Sequence, residues 1–409
     1  MNKFLAVLLL AIMTLSQISL LPFSVLHYVV LGICVLYTLS CFGNFNRMTM
    51  MFILVGLLSI MMNDIPVFFK AGQRFLLWTA LMIGCSALVG TWKAIRFRRV
   101  LLLNVCTVAV IMTMLSFLSY VGGFGVWTGG VGFWGVAFHG NILGLLGMLS
   151  TIFLTHLLLQ KGLKRTERRK YNKKLSLILI VGLGASFIIL LLASSRSALL
   201  CTAVGVLAYL KFYFGKKQGK YISVLMVCVV ALVLAYPFLG EYTEGIENKM
   251  AYGVEKGSFT ASRTALWATR IEEFKRNPIL GVGSFAVDTT IYNSDKYFNP
   301  YDAVTGVVEL GSSYLGVLSQ NGLLGFLVFI LLLWKGAKMG LRKVKSTGDP
   351  IDFLFFSLFI MILFHMNFEG YVNTSGQILT LILWLVIACN IDRTLPNDRT
   401  RTIKGLIYY

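Results

Sequence analysis

Long apolar runs separated by short, basic connections dominate this chain of 409 residues. Apolar residues make up 57% of the sequence and charged residues only 13%, whereas a soluble domain carries about 25% charged residues. A helix of roughly 20 apolar residues is long enough to cross a lipid bilayer. The runs show no alternation of period two, so helices are expected rather than a transmembrane barrel. The chain is therefore predicted to be an all-α, polytopic membrane protein.

The apolar runs predict about twelve membrane spans and divide the chain into four regions. Region 1–239 holds spans one to nine, 240–311 is a large loop with short helices, 312–390 holds spans ten to twelve, and 391–409 is a tail. The third and last spans are short, which is compatible with tilted or partly re-entrant segments. The predicted spans are residues 4–21, 23–41, 49–63, 75–92, 100–120, 141–159, 175–193, 198–214, 221–239, 312–334, 352–368 and 376–390.

The net charge of +20 does not indicate nucleic-acid binding, because lysines and arginines cluster in loops on one side of the predicted membrane. Cytoplasmic loops of membrane proteins carry this excess of basic residues. Both termini are therefore expected in the cytoplasm, and the first apolar run is expected to be a retained helix rather than a cleaved signal peptide. The basic loops are 93–99, 160–174, 215–220, 335–351 and the tail from 391.

The polar stretch 241–310 then faces the periplasm or cell exterior. It holds ten of the seventeen acidic residues and no run long enough to cross a bilayer, and such loops often carry function. Arg263 and Arg270 are seven residues apart, which places them on one face of a helix, and Pro278 is expected to end that helix. Two interpretations stay open: an amphipathic surface helix with ion pairs to nearby glutamates, or an anion-binding site.

Further polar residues lie near the predicted outer ends of spans. Arg196 has almost no loop around it, so it is either a snorkelling arginine or an anion ligand for phosphate oxygens. Glu309 is either a helix N-terminal carboxylate or a general base for a sugar hydroxyl. His139 and His365 are candidates for proton transfer or structural residues. The Gly- and aromatic-rich stretch 121–134 suits an interfacial anchor or a surface on which sugar rings stack.

An ordered set of short motifs resembles the O-antigen polymerase and O-antigen ligase superfamily of membrane glycosyltransferases over roughly residues 139–335. In that family an arginine opens a membrane helix, a second begins a helix of the large loop, and a glycine turn follows. Arg270 and Gly281 also fit the family's spacing of an arginine, ten residues and a glycine. The matching segments are Ser-Arg-Ser-Ala at 195–198, Ser-Arg-Thr-Ala-Leu-Trp at 262–267, Asn-Pro-Ile-Leu-Gly-Val-Gly at 277–283, Ser-Tyr-Leu at 313–315 and Asn-Gly-Leu-Leu-Gly at 321–325.

This sequence departs from the ligase pattern at one place, which favours a polymerase over a ligase. Ligases of the family carry a His-Asn pair eleven residues before the glycine that matches Gly322, and that histidine is their proposed base. Gly311 and Ser312 stand there in this chain. The Glu-Leu-Gly-Ser-Ser-Tyr sequence that begins at Glu309 looks more like the polymerases.

The resemblance implies a GT-C-like glycosyltransferase of a bacterial cytoplasmic (inner) membrane that polymerises lipid-linked repeat units, as for O-antigen, capsule or exopolysaccharide. Its donor would be a polyprenyl-diphosphate-linked oligosaccharide, held by Arg196 and Arg263 with Arg74 or Arg270. Glu309 would deprotonate the acceptor hydroxyl, and a single displacement without a metal or other cofactor would invert the anomeric carbon. The other candidate substrate-binding residues are Arg276, His139, Asn141, Ser313, Tyr314 and His365.

Other functions and partners stay open beside the polymerase. The chain is alternatively a ligase that transfers finished glycan to a lipid or protein, or a transporter of lipid-linked glycan, although transporters usually show inverted repeats or paired broken helices. The expected partners are the donor, an acceptor glycan and membrane lipids. Binding of a chain-length regulator stays open, and no nucleic acid is expected.

Overall fold

The protein is a bundle of α-helices, as the apolar runs predict. The computed structural model describes residues 3–19, 25–41, 43–128, 132–164, 173–215, 217–224, 226, 247, 261–293, 300–374 and 378–394. The helices named below are α1 (Lys3–Gln17), α2 (Leu26–Leu39), α3 (Arg47–Met61), α4 (Ala71–Cys85), α5 (Trp92–Val121), α6 (Gly140–Lys164), α7 (Lys173–Leu192), α8 (Arg196–Phe214), α9 (Ala261–Arg276), α10 (Ser313–Thr347), α11 (Pro350–His365) and α12 (Ile378–Ile391).

Several helices begin where the sequence supplies a capping side chain. Thr91 caps α5 by accepting the Ala94 N–H, and Ser312 caps α10 by accepting the Leu315 N–H at 3.5 Å. Asp349 caps α11 in front of Pro350, whose missing N–H costs nothing at the first helical position. These local signals favour the observed helix starts.

Most predicted spans coincide with a helix. Within the described residues, α5, α6, α7, α8 and α10 are long and apolar enough to cross a membrane, and α1, α2, α3, α11 and α12 are shorter apolar helices. Several boundaries differ: α4 runs from Ala71 to Cys85 instead of over 75–92, α5 already begins at Trp92, and α10 continues to Thr347 instead of ending at 334. The ninth predicted span, 221–239, lies outside the described residues except at its start, so the number of spans stays a prediction.

The bundle has two ends that are each tied together by side chains. At one end Asn141 at the start of α6 contacts Glu369 after α11, and Ser312 before α10 contacts Met366. We call this the α9 end. At the opposite end the buried Arg98 of α5 pairs with Asp392 after α12 at 2.6 Å. Arg99 pairs there with Asp352 of α11, and Lys343 of α10 donates to the Cys389 carbonyl.

A break at Gly322 divides α10 into two parts. Gly322 has φ 61° and ψ −167°, a conformation that favours glycine. The turn that follows α9 fills the break, because the Leu323 N–H donates to the Pro278 carbonyl at 2.8 Å and the Val282 N–H donates to the Ser319 carbonyl at 2.9 Å. The two glycine motifs of the sequence therefore meet as one joint.

The described part of the large loop packs against the chain between α3 and α4. Phe69 forms a small buried cluster with Ala286 and Val287 of the loop. Gly306 lies against the Phe68 carbonyl, where a Cβ would come within 2.2 Å of the oxygen. The loop is thus a folded layer over the α9 end, with α9 packed along α10.

The Gly- and aromatic-rich stretch contains a small hairpin that the all-α prediction did not include. Strand β1 (Val126–Thr128) pairs with antiparallel strand β2 (Gly132–Gly135). Phe133 of β2 is buried, and its ring centroid lies 5.0 Å from that of Trp127. Trp127 and Phe124 remain exposed. Their rings are therefore accessible, as both the interfacial-anchor and the sugar-stacking interpretations require.

Candidate functional site

An ion pair between Arg263 and Glu369 lies at the centre of the α9 end. The Arg263 Nη2 donates to Glu369 Oε1, and the Arg263 Nη1 donates to the Gly311 carbonyl at 3.3 Å. The side chains are 21% and 18% exposed, so the pair is reachable by a ligand at the bundle end. The sequence predicts Arg263 as an anion ligand, and the structure shows it holding a carboxylate.

Three further helices meet at Glu369. Asn141 in the first turn of α6 donates its side-chain amide to Glu369 Oε1 at 3.1 Å. Ser313 in the first turn of α10 donates its hydroxyl to the Glu369 carbonyl at 2.7 Å and accepts the Tyr371 N–H at 3.2 Å. His365 at the end of α11 lies beneath, with Nδ1 3.2 Å from the Tyr371 hydroxyl.

Arg196 begins α8, the helix that packs against α6 at this end of the bundle. The first turns of α6 and α8 are in close contact, since a Cβ at Gly144 would meet the Ser195 Cβ at 3.0 Å and the Ala198 Cβ at 3.2 Å. The same turn of α6 carries Asn141. The N-termini of α6, α8, α9 and α10 therefore lie at one end of the bundle, and each is equivalent to about +0.5 elementary charge. Together with two arginines they favour an anionic ligand.

Burial is the main influence on the Glu369 carboxyl. It raises the pKa of Glu369 above its ordinary value, although the Arg263 guanidinium beside it acts in the opposite direction and lowers it, and the negative charge of Glu309 adds to the rise. A carboxyl tuned in this way is a typical proton-transfer group. Glu369 was not predicted as a site residue, and the only signal for it in the sequence was its position one helical turn after His365.

Three predicted arginines contact other residues. Arg270 is buried and forms an ion pair with Glu273 at 2.9 Å, while its Nη2 donates to the Tyr292 hydroxyl. Arg276 donates to Thr290 at 2.9 Å and to Asp288 at 3.2 Å. Arg74 donates to the Thr305 carbonyl at 2.9 Å. The glutamate ion pairs that the surface-helix interpretation predicted for α9 are thus formed by Arg270 and Arg276, whereas Arg263 reaches the site.

The remaining predicted residues differ in exposure. Glu309 is exposed, with its backbone N–H donated to the Pro300 carbonyl. His139 is exposed, stacks near Trp134 at 5.1 Å between ring centroids, and accepts the Asn141 N–H at 3.0 Å. The hydroxyl of Tyr314 donates to the Leu363 carbonyl at 2.9 Å. The structure therefore brings Arg263, Asn141, Ser313 and His365 together through Glu369, and Arg196 begins the helix that packs against α6.

No three side chains of His, Cys, Asp or Glu come together as metal ligands within the part of the chain that the structure describes. Independence from metal stays a prediction, since it was inferred only from the resemblance.

Residues 180–330 match the family model Wzy_C, described as O-antigen ligase. The chain carries a Wzy_C domain. The resemblance to the O-antigen polymerase and ligase superfamily is thereby confirmed over the span that holds Arg196, α9 and the joint at Gly322. No curated protein matches the chain. The Wzy_C match supports polymerase or ligase activity broadly and applies to both.

Asn141 and Glu369 lie outside the span that matches the Wzy_C model. The candidate site thus joins Arg196 and Arg263 of the Wzy_C domain to residues contributed by α6 and by the turn after α11. A site assembled from such distant parts of the chain is visible only in the folded protein.

Proposed function

We propose that this protein is a polymerase of lipid-linked polysaccharide repeat units. It transfers a glycan from polyprenyl diphosphate to a hydroxyl of an acceptor sugar on the outer side of the cytoplasmic membrane. The observation that carries the proposal is the position of Arg263, which holds the Glu369 carboxylate where the first turns of α6, α9 and α10 meet. A carboxylate and a phosphate present similar oxygens to an arginine fork.

Arg263 and Arg196 have complementary roles in this reaction. The diphosphate gains negative charge as its bond to the anomeric carbon breaks, and fixed cations lower the energy of that transition state. The helix N-termini add partial positive charge in the same place. The acceptor oxygen attacks from the opposite face of the sugar, which inverts the anomeric carbon in a single displacement.

Gly311 supports a polymerase over a ligase. It has φ 69°, and a Cβ there would lie 2.9 Å from the Leu266 Cβ. Its carbonyl also accepts hydrogen bonds from Arg263 and Trp267. The family's ligases carry the proposed catalytic histidine at the matching position, and this backbone leaves no room for that side chain.

A ligase is the second candidate, because the matched family model is described as O-antigen ligase. The same arginine site would serve it, since the donor is of the same class. The two differ in the acceptor: a growing lipid-linked glycan for the polymerase, and a finished lipid or protein acceptor for the ligase.

Substitution of either arginine is expected to stop chain growth in cells. In a strain that lacks the gene and carries a plasmid copy, Arg263→Ala or Arg196→Ala should lower polymer formation by about 100–1,000-fold, as for loss of one oxyanion-type donor. The readout is envelope glycan resolved by size. Lys275→Ala is the matched control, because Lys275 is a cation of the same helix whose side chain is 67% exposed. Normal polymer lengths in both arginine variants would contradict the site.

A further inference from the structure

Glu369 contacts α6, α9, α10 and the end of α11. Its Oε1 accepts from Arg263 of α9 and from Asn141 of α6, and its carbonyl accepts from Ser313 of α10. Its own N–H donates to the His365 carbonyl at 3.2 Å. Four parts of the chain thus fix its position, although the transfer reaction proposed above gives it no role.

Glu369 is bound to the Arg263 guanidinium, which is the cation that the donor diphosphate needs. A diphosphate oxygen that binds the Arg263 Nη2 in place of Glu369 Oε1 displaces the Glu369 carboxylate. The displaced carboxylate stays within the site, because its backbone is held by Ser313 and by the turn after α11. Donor binding therefore frees a carboxylate beside the reacting sugar.

We propose that Glu369 is the general base of the transfer reaction, released from Arg263 when the donor diphosphate binds. The inference rests on the proposed function. The acceptor oxygen forms a bond to the anomeric carbon, and the bond from that carbon to the diphosphate oxygen breaks. The hydroxyl proton passes to Glu369, and the electron pair leaves with the diphosphate, whose charge Arg263 and Arg196 stabilise. No oxidant, reductant or further reactant is needed.

The environment of Glu369 suits this role better than those of the other acids and bases nearby. Glu309 is exposed to solvent, and His365 is buried behind Tyr371. Burial already raises the pKa of Glu369, and Arg263 is the charge that most lowers it. When Arg263 pairs with the diphosphate instead of with Glu369, the pKa of Glu369 rises further. The carboxylate is then a stronger base when the donor is present.

The proposed role of Glu369 predicts how turnover changes with pH. A general base acts in its deprotonated form, so turnover should fall as the pH drops through the pKa of Glu369, and that limb should lie above the range of an ordinary glutamate. The titratable or charged groups on the elements packed around it are Arg263 of α9, Glu309 before α10, His139 before α6, Arg196 at the start of α8, His365 at the end of α11, and Tyr371 in the turn that follows. Glu369→Asp should keep the acid limb, whereas Glu369→Gln should lose it.

The decisive variant is Glu369→Gln, tested in two assays on purified protein. Turnover of lipid-linked repeat units should fall by about 100–10,000-fold, the usual contribution of general base catalysis. Binding of undecaprenyl diphosphate should be as tight as in the wild type or tighter, because no carboxylate competes for Arg263. A structural role would instead weaken binding, as Arg263→Ala is expected to do. Glu272→Gln is the control, since Glu272 lies on the outer face of α9.

The outcomes separate this inference from the proposed function. An active wild type whose Glu369→Gln variant keeps turnover within about threefold would overturn the role of Glu369 and leave the polymerase intact. Loss of activity in Glu309→Gln together with an active Glu369→Gln would also overturn it. A wild type that turns over no lipid-linked donor would overturn the proposed function itself.

Discussion

Arg270 and Glu273 form a buried ion pair on the inner face of α9. Both side chains are 0% exposed, and the Glu273 Oε1 also accepts from the Tyr292 hydroxyl at 2.9 Å and the Asp288 N–H at 3.1 Å. Burial raises the pKa of Glu273, with the charge of Arg270 opposing that rise. The pair therefore ties α9 to the segment 288–292, and it holds Arg263 in position from two helical turns away.

Loss of Arg270 should destabilise the protein. Arg270→Ala leaves the Glu273 carboxylate buried without its cation, which typically costs about 3–5 kcal/mol of unfolding free energy. Denaturant unfolding of the purified protein in detergent measures the effect. Lys275→Ala, an exposed cation of the same helix, should change stability by less than about 1 kcal/mol. Equal stability of the two variants would show that the pair contributes little.

The joint between the α9 turn and α10 positions the site at the scale of helices. A Cβ at Gly322 would lie 2.3 Å from the Ile279 carbonyl carbon and oxygen, and a Cβ at Gly281 would lie 2.4 Å from the Ser319 oxygen. Ser59 of α3 donates to the Leu280 carbonyl at 2.8 Å and to the Gln320 carbonyl at 2.7 Å. Three elements are thus locked together where α10 is interrupted, so α9 and its arginine cannot shift freely.

Gly322→Ala should disrupt this joint. The strained backbone conformation alone costs about 1–3 kcal/mol, and the contact with backbone atoms adds to it because backbone cannot move aside as a side chain would. We expect lower thermal stability and loss of polymer in the same variant. Gly184→Ala is the matched control, since a Cβ there meets nothing within 4 Å and alanine favours the helix by about 1 kcal/mol. Equal thermal stability of Gly322→Ala and Gly184→Ala would contradict the role of the joint.

The elements of the fold could be predicted largely from the sequence, because apolar runs, capping residues and Pro278 act locally. The helix that carries Arg263 and the helix starts at Ser313 and Pro350 follow from such signals. The β1–β2 hairpin is local, but its Gly- and aromatic-rich sequence lacks the alternation of apolar and polar residues that indicates a strand. The break at Gly322 could not be predicted, since it depends on the turn after α9, which is far away in the chain. The same holds for Glu369, whose partners lie 106 and 228 residues away in sequence.

At the scale of the whole molecule, the two ends of the bundle have different electrostatic roles. Buried pairs of Arg98 with Asp392 and of Arg99 with Asp352 join α5, α11 and the end of α12 at one end. The α9 end gathers helix N-termini and the Arg263–Glu369 pair. The basic loops predict that the first end faces the cytoplasm. Buried ion pairs at the first end and the proposed diphosphate site at the α9 end suit the proposed transferase, which would receive its lipid-linked donor on the outer side.

The most direct test of the account is reconstitution of the purified protein with a lipid-diphosphate repeat unit, without metal or nucleotide, followed by separation of the products by size. A polymerase should produce a ladder of lipid-linked oligomers, which should disappear in Arg263→Ala and persist in Lys275→Ala. Glycan transfer that occurs only after a separate acceptor lipid is added would contradict the polymerase in favour of a ligase. Absence of turnover with either acceptor would contradict the transferase altogether.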